Sequence, residues 1–138
     1  MKAISLWQPW ALLCLLGAKQ FETRHWSTGY RGPLLIHAAK KCDREILAAV
    51  EELAPVLIPF GIHGPADLSF GAIIGRVQLV ACLRMRDMPP PSEQERALGD
   101  WAPDRYAWEF AKPELFRAPI GYRGSQGFFD VPEEALAA

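Results

Sequence analysis

The hydrophobic positions near the N-terminus predict a short strand, a buried helix and a second strand. Residues 2–7 alternate weakly between apolar and polar side chains, as a strand does. Pro9 suits the first turn of a helix and Gly17 suits its C-terminal cap. Residues 10–16 between them are apolar nearly all round, which indicates a helix buried on most sides. Residues 21–24 then fit an extended segment.

The middle of the chain alternates between strand and helix signals. Residues 34–38 predict a strand, and Asp43 is a suitable N-cap for a helix over residues 45–53. Residues 70–83 carry the longest strand signal, and two internal glycines indicate a bend or bulge there. The proline- and glycine-containing stretch 55–69 is predicted to be irregular.

The C-terminal third predicts three further strands after an insertion. The insertion, residues 87–104, holds at most one short helix, and a lid over a binding cleft is one interpretation of it. The strand candidates are residues 106–110, 115–120 and 127–131. Short strands punctuated by glycine and proline, together with two helices, predict an α+β fold of one domain over residues 1–138, built on a small mixed β-barrel.

The charge balance excludes a protein covered in positive charge but leaves room for a local basic patch. Hydrophobic residues make up 50% of the chain and charged residues 22%, and the net charge is −1. Residues 19–44 nevertheless hold six lysines and arginines against two acidic residues, a local net charge of +4. This segment is either a patch for a polyanion or a solvated face of mixed charge.

Cysteine and histidine usage predicts neither disulfides nor a metal site, and no cofactor is expected. The three cysteines are odd in number without a C-x-x-C pair, and the three histidines lack ligand-like spacing. This usage is typical of a reduced, cytoplasmic protein. The apolar run over residues 9–18 is far shorter than the roughly 20 residues of a membrane span, so no membrane role is predicted.

The most informative stretch is residues 4–24, because it combines tryptophans with groups that recognise amides and phosphates, the chemistry of a nucleobase pocket. Lys19 is interpreted as a phosphate ligand or a base, or alternatively as a surface lysine paired with Glu22. Glu22 either accepts hydrogen bonds from a base or forms a structural ion pair with Arg24 on the same strand face. Arg24 suits a phosphate or carbonyl, or holds Glu22 in place. Gln8 offers a donor and an acceptor to a base edge, or caps the helix.

Several aromatic side chains are candidates to stack on a base, with core packing as the alternative for each. Trp10 and Trp26 are the first candidates. Trp108 shares a strand face with Tyr106, and the two form either an aromatic wall or part of the core. Trp7, in the first strand, is predicted to be a core residue.

Three more residues complete the predicted site. His37 lies within an apolar strand, where it is either a satisfied structural residue or part of the rim of the barrel. Arg123 and Gln126 belong to a glycine-rich turn that either approaches a phosphate backbone or is simply exposed.

Several short motifs keep a common order and spacing along nearly the whole chain. They are Gln8-Pro-Trp10, Gly17-x-Lys19-x-x-Glu22-x-Arg24, Tyr30-Arg-Gly-Pro33, Ile36-His-Ala38, Gly71-Ala-Ile-Ile-Gly-Arg-Val77, Tyr106-Ala-Trp-Glu109 and Tyr122-Arg-Gly-Ser-Gln-Gly-Phe128. Together they resemble the ASCH domain family, which belongs to the PUA-like group.

The resemblance implies a PUA-like barrel with a cleft beside the Gly17–Arg24 segment, and binding of RNA or nucleotides. One branch of the family hydrolyses the acyl amide of N4-acetylcytidine, and other members are reported as ribonucleases. In the amidohydrolase branch a lysine works with a threonine three residues later and a distant glutamate. Lys19 matches the lysine, but Glu22 replaces the threonine, and the acid position falls near Gln78, which has no carboxylate.

Two functions stay open from the sequence. The first is a binding module whose cleft accepts RNA, a nucleotide or a modified nucleoside, through the stacking, base-reading and phosphate-binding residues named above. The alternative is a hydrolase in which Lys19 is the base and Glu22 orients it or activates water in place of the missing threonine.

Overall fold

The computed structural model describes residues 1–137 as a β-sheet flanked by short helices. The strands within these residues are β1 (Lys2–Leu6), β2 (Phe21–Arg24), β3 (Gly32–Ala38), β4 (Ala72–Arg84), β5 (Tyr106–Gly121) and β6 (Phe128–Asp130). The α-helices are α1 (Trp10–Leu15), α2 (Arg44–Glu52), α3 (Ala54–Leu57), α4 (Glu93–Leu98) and α5 (Glu133–Leu136), with 3₁₀ turns at Ile58–Phe60, Pro65–Asp67 and Met85–Asp87.

Local sequence signals set most of these boundaries. The predicted α2 is confirmed, because the Asp43 side chain accepts a hydrogen bond from the Ile46 amide at 3.1 Å and so caps the helix. Pro55 lies in the first turn of α3, where its missing N–H is harmless. Gly17 follows α1 with a φ of +79°, a left-handed conformation that favours glycine. The α+β class is therefore confirmed.

The predicted closed barrel is wrong, because the sheet is open. Its strand order is β2-β5-β4-β3-β1-β6, with β1 and β3 parallel and the other neighbours antiparallel. Within residues 1–137, β2 pairs only with β5 and β6 pairs only with β1. These two strands are the edges of the sheet, and no ladder joins them.

The two strands predicted over residues 106–110 and 115–120 are one strand, β5. Its partner β4 changes register between Arg76 and Gln78, and Lys112 adopts a φ of +50°. This irregularity lets β5 continue through residues 111–114, which the prediction left between two strands. The predicted bend in β4 is confirmed by a second register shift between Ile73 and Gly75.

Buried side chains on both faces of the sheet fix the helices. Leu34 and Ile36 face the group that contains α1, whereas Leu35 packs on the opposite face with α5, as strand alternation requires. Leu13 of α1 also packs against α2 and α4 through a second cluster that includes Ile46. These contacts fix α1 on the sheet, and residues 16–20 then connect it to the edge strand β2.

Candidate nucleic-acid-binding cleft

A cleft of about 1670 Å³ opens between the edge strand β2 and the C-terminal end of β1. Its walls come from the end of β1, residues 19–26, residues 97–100 and the loop of residues 122–127 that precedes β6. Pockets for a single small molecule usually measure about 300–1000 Å³. The cleft is therefore large enough for more than one nucleotide-sized group.

Lys19 lines the cleft but is not a surface lysine, since its side chain is 1% exposed. Its Nζ donates a hydrogen bond to the Phe21 carbonyl oxygen and lies 3.8 Å from Glu22 Oε1. A buried ammonium needs such partners, because they offset the free energy of its lost hydration. The interpretation of Lys19 as an exposed residue is thus wrong, although its pairing with Glu22 is present.

Glu22 lies between two cations. Its Oε2 is 3.4 Å from Arg24 Nη2, and its side chain is 13% exposed at the cleft wall. Arg24 Nη2 also donates to the Ser5 carbonyl oxygen at 3.2 Å, which links β2 to β1 across the gap. The predicted ion pair between Glu22 and Arg24 is confirmed, and both side chains still border the cleft.

The tryptophans divide differently from the sequence prediction. Trp10 and Trp26 are half-buried and line the cleft, as stacking residues would. Trp108 is 0% exposed, and its Nε1 donates to the Trp26 carbonyl oxygen at 3.2 Å. Its predicted contact with a base is wrong, because α1 and neighbouring rings cover it. Trp7, predicted as core, is 47% exposed and lines the cleft.

Gln8 does not line the cleft. Its side chain is 1% exposed, its Nε2 donates to the Ser69 carbonyl oxygen, and its Oε1 accepts from the Leu12 amide, both at 3.0 Å. Because the side chain is buried outside the cleft and both ends of its amide bond backbone groups, it presents no group to a base edge. The base-reading role predicted for Gln8 is wrong, and the alternative role at the start of α1 is correct.

His37 secures the loop of residues 122–127. Its Nε2 lies 2.7 Å from the Tyr122 carbonyl oxygen, which can only accept, so this nitrogen is the donor. Its Nδ1 lies 2.9 Å from Ser5 Oγ, and the ring is 2% exposed at the base of the cleft. Gly124 packs on the ring so closely that an added Cβ would lie 2.6 Å from His37 Cε1.

The same loop presents Arg123 and Gln126, which are exposed and line the cleft as predicted from their glycine-rich context. The N–H groups of residues 123–126 make no hydrogen bond to another backbone group within residues 1–137. Successive free amides of this kind can contact an anion.

The ASCH domain family model matches residues 4–120. The chain belongs to the ASCH family. This family is PUA-like and is usually linked to RNA binding.

Two curated ASCH-containing relatives and several solved ASCH structures resemble the chain. Activating signal cointegrator 1 from Homo sapiens is 34% identical over 84 residues, and its counterpart from Mus musculus is 32% identical over the same length. The match covers 60% of this chain but only 14% of either relative. The crystal structure of ASCH from Zymomonas mobilis covers 99% of this chain and 90% of its own, with a TM-score of 0.55 and 16% identity. A mutant form of that protein gives the same TM-score at 17% identity and covers 93% of its own chain. At this identity the likeness shows the fold alone.

The Gly17–Arg24 segment is held in place by α4, a contact that the sequence did not predict. The Glu95 carboxylate accepts hydrogen bonds from the amides of Gln20 at 2.7 Å and Phe21 at 3.3 Å. Gln94 Nε2 donates to the Ala18 carbonyl oxygen at 2.7 Å. The sequence pattern Ser92-x-x-Glu95 is typical of a helix N-terminus and could have located this helix. In the structure, Ser92 Oγ accepts a hydrogen bond from the Glu95 amide at 3.1 Å. The insertion thus forms a wall of the cleft.

Other chemistry in this ASCH domain is limited. Burial raises the pKa of the Cys14 thiol, which makes it a poor nucleophile. Within residues 1–137, no group of three or more His, Cys, Asp or Glu side chains converges to hold a metal ion. No helix in that range combines the length and apolar character that crossing a membrane requires. Gln78 lies on β4 and does not line the cleft.

Proposed function

We propose that the cleft binds single-stranded RNA or a nucleotide. The observation that carries the proposal is the concentration of positive charge in a cleft with aromatic walls. The chain as a whole has a net charge of −1. The cleft nevertheless contains five cationic side chains against the two acids Glu22 and Asp100; the five are Lys19, Arg24, Lys40, Arg105 and Arg123. Such a local excess attracts a polyanion while the rest of the surface does not.

Different parts of the cleft contact the phosphates and the bases of the ligand. Lys40 and Arg123 are exposed, and they meet phosphate groups, with the free loop amides nearby as further donors. Glu22 accepts from the amino group of a base, since its carboxylate is exposed enough to reach one. Trp10 and Trp26 provide ring surface for stacking.

Salt-dependent binding tests this function. The two phosphate contacts of Lys40 and Arg123 on a single strand predict that log K falls with log [salt] with a slope of about −1.4. Arg123→Gln should weaken binding of a short RNA and reduce that slope by about 0.7. Arg117→Gln removes the same charge from β5 outside the cleft, so it should leave both unchanged. Equal effects of the two variants, or no binding by the wild type, would contradict the proposal.

A second candidate function, hydrolysis, is favoured by the burial of Lys19 beside Glu22. The Lys19 side chain is 1% exposed and its Nζ lies 3.8 Å from Glu22 Oε1, so a cation and a carboxylate meet at the cleft wall, as acid–base chemistry requires. In this reaction the Glu22 carboxylate takes a proton from water, and the water oxygen attacks the acyl carbon or the phosphorus. The bond to the leaving amine or alkoxide then breaks, the leaving group takes up that proton, and the Lys19 ammonium stabilises the negative charge that develops.

Hydrolysis of N4-acetylcytidine and cleavage of single-stranded RNA are the assays for this candidate. Acetate release or RNA cleavage that is lost in Lys19→Met and in Glu22→Gln, with thermal unfolding measured for both variants, would support a hydrolase. Absence of both activities in a wild-type protein that binds RNA would leave the binding function alone.

A further inference from the structure

Trp7 is a side chain whose position the binding roles above do not explain. It follows β1 directly and is 47% exposed, whereas Trp108 is fully buried. An indole buries a large apolar area when it is enclosed, so an exposed one at a cleft wall is a surface available to a ligand. Trp7 lines the cleft together with Lys40 and Phe70.

Lys41 holds the indole in position. Its Nζ lies 3.5 Å from the centroid of the Trp7 ring, and it also donates to Glu45 Oε2 at 2.7 Å. The hydrogen bond to Glu45 raises the pKa of Lys41, so the ammonium stays charged over the ring. Lys41 does not line the cleft, whereas Trp7 does. The ammonium therefore occupies one face of the ring, so a base would stack on the other face. A ring fixed in this way loses less conformational freedom when a base stacks on it.

Trp7 lies far enough from the position of Arg24 to contact a different nucleotide. Arg24 binds the carbonyl oxygen of Ser5, and two residues of extended chain from Ser5 to Trp7 span about 7 Å. A base on Trp7 is therefore the neighbour of a nucleotide held beside Arg24. The 1670 Å³ of the cleft accommodates both.

We propose that Trp7, supported by Lys41, is a second base-stacking subsite, and that the ligand is consequently a single strand of at least two nucleotides. This inference rests on the proposed binding function and specifies its ligand. A free nucleoside or mononucleotide would leave the Trp7 subsite empty.

A length series measures the subsite directly. Oligoadenylates of one to six nucleotides are titrated into the full chain, and affinity is followed by calorimetry. The wild type should gain affinity between one and two or three nucleotides. Trp7→Ala should lose about 5- to 150-fold for the longer ligands, the range for one stacked base, while its affinity for the mononucleotide stays within about twofold. Trp7→Phe should recover most of the loss.

Phe60→Ala is the matched control, because Phe60 is equally exposed at 46% and lies outside the cleft. It should bind every length like the wild type. Lys41→Met should weaken binding of the longer ligands less than Trp7→Ala does. If Trp7→Ala binds all lengths as the wild type does, or if the wild type binds one nucleotide as tightly as six, the subsite is refuted and the binding function survives. If the wild type binds none of them, the proposed function itself fails.

Discussion

Removal of the Glu95 side chain should destabilise the fold more than its place in a short surface helix suggests. The Glu95 residue is 7% exposed, and its carboxylate serves two backbone amides, those of Gln20 and Phe21. A hydrogen bond to a charged group contributes about 1.5–3 kcal/mol, and a buried donor left without an acceptor costs about 1–3 kcal/mol. Because the bond to Phe21 is long at 3.3 Å, we expect Glu95→Ala to lower the free energy of unfolding by about 2–4 kcal/mol.

Urea unfolding followed by tryptophan fluorescence measures this loss. With a slope of about 2 kcal/mol per molar urea, the midpoint should fall by roughly 1–2 M. Glu95→Gln keeps one acceptor oxygen and should lose roughly half as much. Glu93→Ala is the matched control, since Glu93 is exposed in the same first turn of α4. Its effect should stay within about 0.5 kcal/mol. A Glu95→Ala protein no less stable than Glu93→Ala would refute the anchoring role of α4.

Three further outcomes are expected. Gly124→Ala places a Cβ 2.6 Å from His37 Cε1, so the loop of residues 122–127 should shift and RNA affinity should fall in a binding titration. Unchanged affinity would contradict the role of this loop in binding. Iodoacetamide at pH 8 should label exposed Cys42 in the folded protein but Cys14 only in urea, because burial raises the pKa of the Cys14 thiol and keeps it protonated. Labelling of Cys14 in the folded protein, detected by mass spectrometry, would contradict this. Gly75→Ala should lower the free energy of unfolding by about 1–3 kcal/mol, since its Cβ would collide with the β5 backbone; an unchanged urea midpoint would exclude that crowding.

The sequence predicted elements wherever a local physical cause sets them. The Asp43 cap and the alternation in residues 34–38 need no knowledge of distant contacts, and both agree with the structure. Barrel closure failed because it depends on how the sheet edges meet, which no local pattern encodes. The break predicted within β5 failed because tertiary pairing with β4 carries the strand through Lys112.

In the candidate cleft, too, the sequence predicted some residues correctly and others not. The signature spacing correctly brought Lys19, Glu22 and Arg24 together, since they follow one another along a helix end and a strand. Exposure of the tryptophans was not predictable, because alternation assigns two faces to a strand without saying which face a helix covers. Trp7 was therefore wrongly assigned to the core, and for Trp108 the alternative of core packing, not base stacking, is correct.

The open sheet has a mechanical consequence. Between β1 and β2 the gap is spanned by the single Arg24–Ser5 side-chain hydrogen bond rather than by a ladder. Such a bond contributes only about 1–3 kcal/mol, whereas separating paired strands breaks several bonds at once. A ring contact also crosses this gap, since Trp26 packs edge-on against Phe128 with centroids 5.7 Å apart. Widening the gap would break this contact and the Arg24–Ser5 bond but no ladder, and β2 would carry α4 with it through Glu95. One guanidinium and one ring contact therefore set the width of the cleft between β1 and β2, whereas strand pairing holds the rest of the sheet.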